Sequence, residues 1–364
     1  MKTIRLLQFG KGNIGGTLIR QVVRHSDALA ENHGTKLEYL GICGQRQAVL
    51  SSEGLNQDLS GPDGMGSLMD DHPSSQDYDS PLSLLNEAVD LTEDQICLID
   101  STGAELTELH LASLRRGIPV ITANKKPASD SYDAYAEIQR LGRRKRLLYW
   151  YETTAGAGLP VISTLQDLVL TGDTVLEISG CLSGTLGYIC SQLDTGRPFS
   201  EIVNEASEQG YTEPDPRDDL NGMDVARKAL ILAREIGCKL NISDVQIESM
   251  VSDELEAAES VDAFMDQLPS VDNSYRLLVE ESRSKGQVLR YLATVKDGRC
   301  DVRLRSVPAD SPAGSLSGPD NLVVYRTARY SDNPLVIRGP GAGPDVTAAG
   351  LFADLIRAAS VYRL

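Results

Sequence analysis

Residues 3–9 form a short apolar run that stops at Gly10-Lys11-Gly12-Asn13-Ile14-Gly15, and apolar positions Ile14, Leu18, Val22 and Leu29 then follow at near-helical spacing. A second apolar run, Leu37 to Cys43, ends in Gly44. Strand, glycine turn, helix and strand in this order are the opening of a doubly wound parallel sheet, and few other folds accept the pattern. The three glycines meet separate physical demands, namely a tight turn, close approach of backbone to a pyrophosphate, and close packing of helix on strand, with the phosphate on the helix N-terminus. The six-residue signature alone is weak, because glycine-rich turns are common and need bind nothing; its strand–turn–helix setting is what points to a dinucleotide. An NAD-specific fold carries a carboxylate at the tip of the second strand for the ribose hydroxyls. Here the tip reads Cys43-Gly44-Gln45-Arg46, which favours the 2′-phosphate of NADP over NAD, the alternative being that Arg46 is a solvated loop cation.

The 364 residues suffice for two domains. Thirty-five basic against 52 acidic residues give a formal charge of −17, which argues against nonspecific binding to nucleic acid or an anionic membrane surface. No stretch approaches the ~18–20 apolar residues of a membrane helix, and the start of the chain has too short an apolar run for a signal peptide, so a cytoplasmic protein is expected. The six cysteines show no CxxC pair and read as buried, reduced thiols.

Strand-like segments recur at 95–100 and 119–123 around an amphipathic helix, Leu106–Arg116, that Gly117 stops. Between Ser51 and Pro81 the chain is rich in Gly, Ser, Asp and Pro and reads as a loop with little structure of its own. A strand beginning at Leu147 leads into a glycine-rich turn and a long helix. Beyond it, strands at 175–181, 288–295, 299–307 and 322–327 and helices at 184–193, 199–209 and 221–236 suggest an α+β layer. The expected architecture is α/β: a Rossmann-type dinucleotide-binding domain over residues 1–148, an α+β catalytic and dimerisation domain over 149–325, and a C-terminal segment, 326–364, returning to the nucleotide domain.

Two further clusters carry chemistry. Thr122-Ala123-Asn124-Lys125-Lys126-Pro127 lies at the C-terminal end of an expected strand, where open α/β sheets place ligands; a lysine there can hold a carboxylate or polarise a carbonyl, although such spacing also suits a plain polar loop. The densest run is residues 210–228, GYTEPDPRDDLNGMDVARK. Its Asp224 and Lys228 are four residues apart on one helix face, which taken alone is an ordinary surface ion pair. Four more acidic residues, Glu213, Asp215, Asp218 and Asp219, precede them, and an apolar helix follows. An ammonium among carboxylates in a partly closed site can bind a charged amine and pass a proton.

That run, with TANKKP at 122–127, ETTAGAGLPVI at 152–162, GCLSGTLGYI at 180–189 and GPGAGPDVTAAG at 339–350, resembles homoserine dehydrogenase, the motifs standing in the family's order. The resemblance implies NAD(P)-dependent interconversion of L-aspartate 4-semialdehyde and L-homoserine, on the route to threonine, methionine and isoleucine. Lys228 takes the position of the family's proton-transferring lysine, and Lys125 that of the lysine between nicotinamide and substrate. Gly210, Glu213, Asp224 and Lys228 match substrate-binding positions. Gly10, Lys11, Gly12, Asn13, Ile14, Gly15, Thr102, Lys125 and Gly343, together with Arg46, make up the expected cofactor set. Glu152, Ala155, Ala157 and Leu159 match a monovalent-cation site, usually sodium, formed by one carboxylate and main-chain carbonyls. A homodimer is the family's default. Lys11 departs from the small residue common there, and Ser51–Pro81 matches least. The chain ends soon after the last glycine turn, which implies a short form lacking an ACT regulatory domain and a fused aspartate kinase, and little threonine feedback through such a domain.

Three other readings stay open on the residues. One is another amino-acid or semialdehyde dehydrogenase on the same nucleotide fold. A second is a thioester-forming aldehyde dehydrogenase, which would need a catalytic cysteine; Cys181 and Cys190 flank the SGTLGY segment, but none of the four histidines, His25, His33, His72 and His110, lies near them in sequence. The third is a cofactor-sensing regulatory protein without chemistry.

Overall fold

The computed structural model describes residues 2–60, 72–144 and 149–361. The chain forms two compact units, Met1–Gly158 with Gly343–Leu364, and Leu159–Ala342.

In the first unit the chain runs β1 (Lys2–Phe9), α1 (Asn13–His33), β2 (Thr35–Cys43), β3 (Gln47–Leu50), α2 (Asn56–Leu59), β4 (Ser75–Asp77), α3 (Pro81–Leu91), β5 (Gln95–Asp100), α4 (Thr107–Arg116), β6 (Val120–Thr122), α5 (Lys125–Ser129), α6 (Tyr132–Arg144), β7 (Tyr149–Trp150) and α7 (Thr153–Gly156). Its described strands form one sheet in the order β4-β3-β2-β1-β5-β6-β7. The pairings among β2, β1, β5, β6 and β7 are parallel, and β3 and β4 add antiparallel edges. Strand order reverses between β1 and β5, the switch point at which such sheets bind ligands beyond their carboxyl ends. Helix α1 buries Leu18, Ile19 and Val22 on the sheet and ends at Gly34, whose φ of 62° is the left-handed stop that glycine adopts without strain.

The second unit continues with α8 (Val161–Leu170), β8 (Val175–Cys181), α9 (Gly184–Leu193), α10 (Phe199–Glu208), α11 (Arg217–Leu220), α12 (Met223–Glu235), β9 (Gln246–Ile247), α13 (Asp253–Glu256), α14 (Val261–Gln267), α15 (Asp272–Ser284), β10 (Gln287–Lys296), β11 (Arg299–Pro308), β12 (Asp320–Thr327) and β13 (Leu335–Pro340). The described strands order as β13-β12-β8-β10-β11-β9, antiparallel except where β9 joins β11. The β10–β11 hairpin closes with Lys296 opposite Arg299, leaving Asp297-Gly298 as a two-residue turn with φ of 50° and 73°, the dipeptide such a tight turn favours. Helix α12 is buried along Val225, Ala226, Ala229, Leu230 and Ala233, which fixes the face its polar residues present. The chain then returns to the first unit through α16 (Pro344–Val361), where Ala348, Leu351 and Leu355 join the core with Leu18 and Val22.

The α/β architecture agrees with the sequence reading, and the division of the chain differs from it. Residues 149–158 belong to the first unit because β7 is a strand of its sheet and Thr153 Oγ1 donates to Thr122 O. Residues 326–342 do not return to the nucleotide domain: β13 pairs antiparallel with β12 in the second sheet. Ser51–Pro81 is less bare than expected, since it holds α2 and β4, while residues 61–71 lie outside the described residues. Helices α3, α6 and α13 to α15 were not expected either. No described helix is long and apolar enough to cross a membrane.

Candidate active site

In the first unit the turn after β1 is shaped by contact. Gly10 has a φ of 98°, and a Cβ on Gly15 would stand 2.1 Å from Gly10 O, so both positions exclude a side chain. A Cβ on Gly12 would meet nothing within 4 Å, which is the open approach a pyrophosphate needs. Helix α1 starts there with no side-chain cap, leaving its first amides for an anion. Beneath the turn, Gln8 is wholly buried; its Nε2 donates to Gly10 O at 2.8 Å and to Gly15 O at 3.1 Å, and its Oε1 accepts from Tyr39 OH at 3.0 Å. Gly10 N donates to Cys43 O, joining the turn to the end of β2. Lys11, Gly12 and Asn13 are exposed, and Ile14 is half-buried.

The carboxyl ends of the neighbouring strands carry the remaining cofactor candidates. Arg46 is exposed on the turn between β2 and β3. Tyr78, just after β4, closes that turn, its hydroxyl donating to Gly44 O at 2.7 Å and its amide to Arg46 O at 3.2 Å. Thr102 follows β5, where its amide and hydroxyl both donate to Asp100 Oδ1. Lys125 is half-buried and begins α5, which Asn124 caps by accepting from Lys126 N. Gly343 has a φ of 113° and precedes α16, its carbonyl accepting from both Thr347 N and Thr347 Oγ1. The residues fit a dinucleotide: an open glycine, free helix amides, and cations and hydroxyls at the strand ends.

Glu152 is buried in the turn after β7, its amide donating to Asp354 Oδ2 at 3.1 Å and Arg357 Nη1 standing 3.9 Å from its carboxylate. Burial, and then the Glu152 charge, push the Asp354 carboxyl up to about 7. Ala155 N approaches Glu152 O at 3.5 Å, and Ala157 holds a φ of 52°, rare for a residue with a side chain. Leu159, the first residue of the second unit, has its carbonyl accepting from Val161 N. Within the first unit, the Glu152 carboxylate and the carbonyls of Ala155 and Ala157 are donors of the type a hard cation takes.

In the second unit, Lys228 on α12 projects its ammonium between two oxygens, Leu182 O at 2.6 Å and Asp224 Oδ2 at 2.8 Å. Its side chain is 12 % exposed against 46 % for Asp224, so the pair is anchored on the lysine side and open on the carboxylate side. Leu182 O stands just before α9, a helix that Ser183 caps by accepting from Leu186 N. The turn carrying Gly210 and Glu213 is held from below, with Thr185 Oγ1 donating to Tyr211 O at 2.6 Å and Glu213 N donating to Asp219 Oδ2 at 2.8 Å. Gly210 and Glu213 themselves are exposed. Burial, with the charges of Glu213 and Asp224 adding to it, raises the Asp219 carboxyl above its ordinary range. Arg217 fixes the far side, bound to both oxygens of Asp215 and donating to Glu256 O and Ala258 O. Gly222, at the start of α12, has a φ of 74°, and a Cβ there would stand 2.0 Å from Tyr291 OH. Thus Asp224, Lys228, Asp219 and Glu213 are gathered by α12 and the turn before it, while the cofactor candidates and Lys125 belong to the first unit.

Cys181 and Cys190 are buried, and burial pushes each thiol up to about 12. A thiol held protonated is no nucleophile, which removes the support for thioester chemistry. All six cysteines are free, five buried and Cys238 half-buried.

Residues 160–356 match the family described as "Homoserine dehydrogenase", and residues 10–151 match "Homoserine dehydrogenase, NAD binding domain". The chain belongs to the homoserine dehydrogenase family. It is similar to the homoserine dehydrogenase of Emericella nidulans, 42% identical over 273 residues that cover 71% of this chain and 74% of that protein. The chloroplastic bifunctional aspartokinase/homoserine dehydrogenase 2 of Zea mays is 40% identical over 363 residues, 96% of this chain and 38% of that one. The chain therefore spans well under half the length of that bifunctional relative. Among solved structures, a Candida auris protein of unknown function superposes with a TM-score of 0.88 at 32% identity, covering 99% of both chains.

Several residues that shape the candidate site carry no motif. Gln8 and Asp100 each interrupt or end an otherwise apolar strand, and a polar residue in a buried run is a signal that it serves a hydrogen-bond network. Asp219 was one acidic residue among several, and Leu182 acts through its carbonyl, which no side-chain pattern reveals. Tyr78 lies in the segment that matches the family least.

Proposed function

We propose that this protein is an NADPH-dependent homoserine dehydrogenase, reducing L-aspartate 4-semialdehyde to L-homoserine and running in reverse with NADP. The observation that carries this reading is Lys228, an ammonium held 2.6 Å from a main-chain carbonyl and 2.8 Å from a half-open carboxylate at the family's proton-transfer position. The glycine turn, Arg46, Thr102, Lys125 and Gly343 would hold the cofactor, which supplies the hydride when bound. Lys228 stabilises charge developing on the aldehyde oxygen and gives that oxygen its proton, while Leu182 O and Asp224 keep the ammonium aimed. Lys125, by the resemblance, would act beside the nicotinamide. Glu213 and Asp224, exposed in part, hold the substrate's ammonium group.

The exposed guanidinium of Arg46, with no carboxylate at the end of β2, supports NADP over NAD. Glu152 with the carbonyls of Ala155, Ala157 and Leu159 is proposed to bind a monovalent cation, sodium by resemblance. A homodimer through the second unit accords with the open concavity of about 950 Å³ on its sheet, lined in part by Leu292, Thr294, Val307 and Val324. The substrate assignment is tested by comparing aspartate semialdehyde with succinate semialdehyde, which lacks the amino group. A preference of about tenfold or more for the amino aldehyde is expected, the worth of roughly one charged contact; equal rates refute the roles of Glu213 and Asp224.

A further inference from the structure

The residue that organises the nucleotide side is one that no motif marks. Asp100 ends β5 and is wholly buried. Its Oδ1 accepts from Thr102 N at 2.9 Å and Thr102 Oγ1 at 2.7 Å; its Oδ2 accepts from Asn124 Nδ2 at 2.9 Å and lies 2.9 Å from His110 Nε2. Four donors therefore meet two oxygens, which is the full accepting capacity of a carboxylate. Asn124 in turn donates to Ala104 O at 2.8 Å and caps α5 through Lys126 N, while its own amide donates to Thr122 Oγ1. One carboxylate thus ties the loop after β5, which carries Thr102, to the first turn of α5, which begins with Lys125.

The second ring nitrogen of His110, also wholly buried, lies 3.2 Å from Tyr149 OH on β7. Burial, and then the nearby Asp100 carboxylate, raise the Tyr149 phenol well above its ordinary value, so its hydroxyl stays a donor. The chain Tyr149–His110–Asp100–Asn124 crosses from β7 through α4 and β5 to α5 within the first unit. A neutral isostere cannot replace the carboxylate, because the amide of an asparagine would point a donor at two donors, Asn124 and His110.

We propose that Asp100, oriented by His110, is a positioning residue that sets Lys125 and Thr102 for the reaction assigned above; the inference rests on that assignment. Both side chains are wholly buried, so the effect of the pair passes through Lys125. Loss of such a supporting contact typically costs about 10–100-fold in activity.

The test measures kcat at saturating NADPH, together with the melting temperature, for wild type, Asp100→Asn, Lys125→Met and the double variant. Asp100→Asn is expected to lower kcat by about 10–100-fold in folded enzyme, yet by less than about threefold in the Lys125→Met background. Unchanged kcat in folded Asp100→Asn, or an equal penalty with and without Lys125, overturns the proposal. If Asp100→Asn does not fold, the pair His110→Leu and His110→Gln decides. Glutamine restores a donor at the Nε2 position, so kcat falls in the first and recovers in the second; equal kcat in both overturns the proposal. A wild-type protein without aldehyde reduction instead refutes the functional assignment, a distinguishable failure.

Discussion

The glycine turn of the first unit and the acidic turn of the second are built by opposite means. The first is a matter of exclusion: buried Gln8 holds its carbonyls, and Gly10 and Gly15 leave no room for a side chain. Its shape is set by backbone and sterics before any ligand arrives. The second is a matter of charge, with Lys228 anchored to Leu182 O and its carboxylates left half-open. A cofactor that must be bound the same way each turnover suits the rigid turn. A reacting aldehyde suits the polar one, where an ammonium and carboxylates would move a proton and stabilise charge.

If the two turns divide the labour in this way, variants will separate binding from chemistry. The largest effect is expected for Lys228→Ala, with kcat falling by about 10²–10⁴-fold and NADPH affinity, read by nicotinamide fluorescence, unchanged. A matching loss of NADPH binding would break the separation. The mirror experiment is Gly12→Val. Its side chain enters open space in the protein, so the melting temperature should hold, while the dissociation constant for NADPH rises about tenfold or more, because the new side chain occupies the approach of the pyrophosphate.

Smaller effects sharpen the picture at the rim of each turn. Arg46→Ala should raise the KM for NADPH by roughly tenfold and leave that for NADH nearly unchanged, since only the 2′-phosphate contact is lost. Tyr78→Phe removes the hydroxyl that closes the Arg46 turn, and should shift the same ratio in the same direction by about two- to fivefold. The smallest effect concerns Asp219, whose carboxyl is raised by burial and neighbouring charge. A raised carboxyl means that the folded protein binds its proton more tightly than the unfolded chain does. Stability attributable to this group is therefore greatest in acid and declines as pH rises from the ordinary carboxyl range through the folded value. Asp219→Asn keeps an oxygen for Glu213 N, so its melting temperature relative to wild type should climb over that window and then level off. A difference independent of pH would contradict this.

The fold was legible where periodicity and glycine punctuation agree, as in α1, α12 and the longer strands β1, β2, β5, β8, β10, β11 and β12, while the short β3, β4 and β9 and the edge strand β13 were not. Helices α13 to α15 were not, since they follow one another with short interruptions; α13 and α14 mark their starts with single capping serines, Ser252 and Ser260, that read equally as loop, and α15 starts after Val271 with no side-chain cap. The unit boundary moved from about residue 149 to 158 because membership depends on β7 pairing and on Thr153 reaching Thr122, contacts remote in sequence. At the candidate site, residue types and spacing marked the 122–127 and 210–228 clusters, and the resemblance to the family singled out Lys125, Glu213, Asp224 and Lys228 within them. What they left out was the support: Gln8, Asp100 and His110 act through buried hydrogen bonds, and Leu182 through its backbone. Side chains that orient others carry no spacing rule of their own.

The most direct test of the account is a balance of cofactor against product. Purified protein given NADPH and L-aspartate 4-semialdehyde should lose nicotinamide absorbance in step with the appearance of L-homoserine, one for one. No aldehyde-dependent loss of NADPH, or a product other than homoserine, would contradict it.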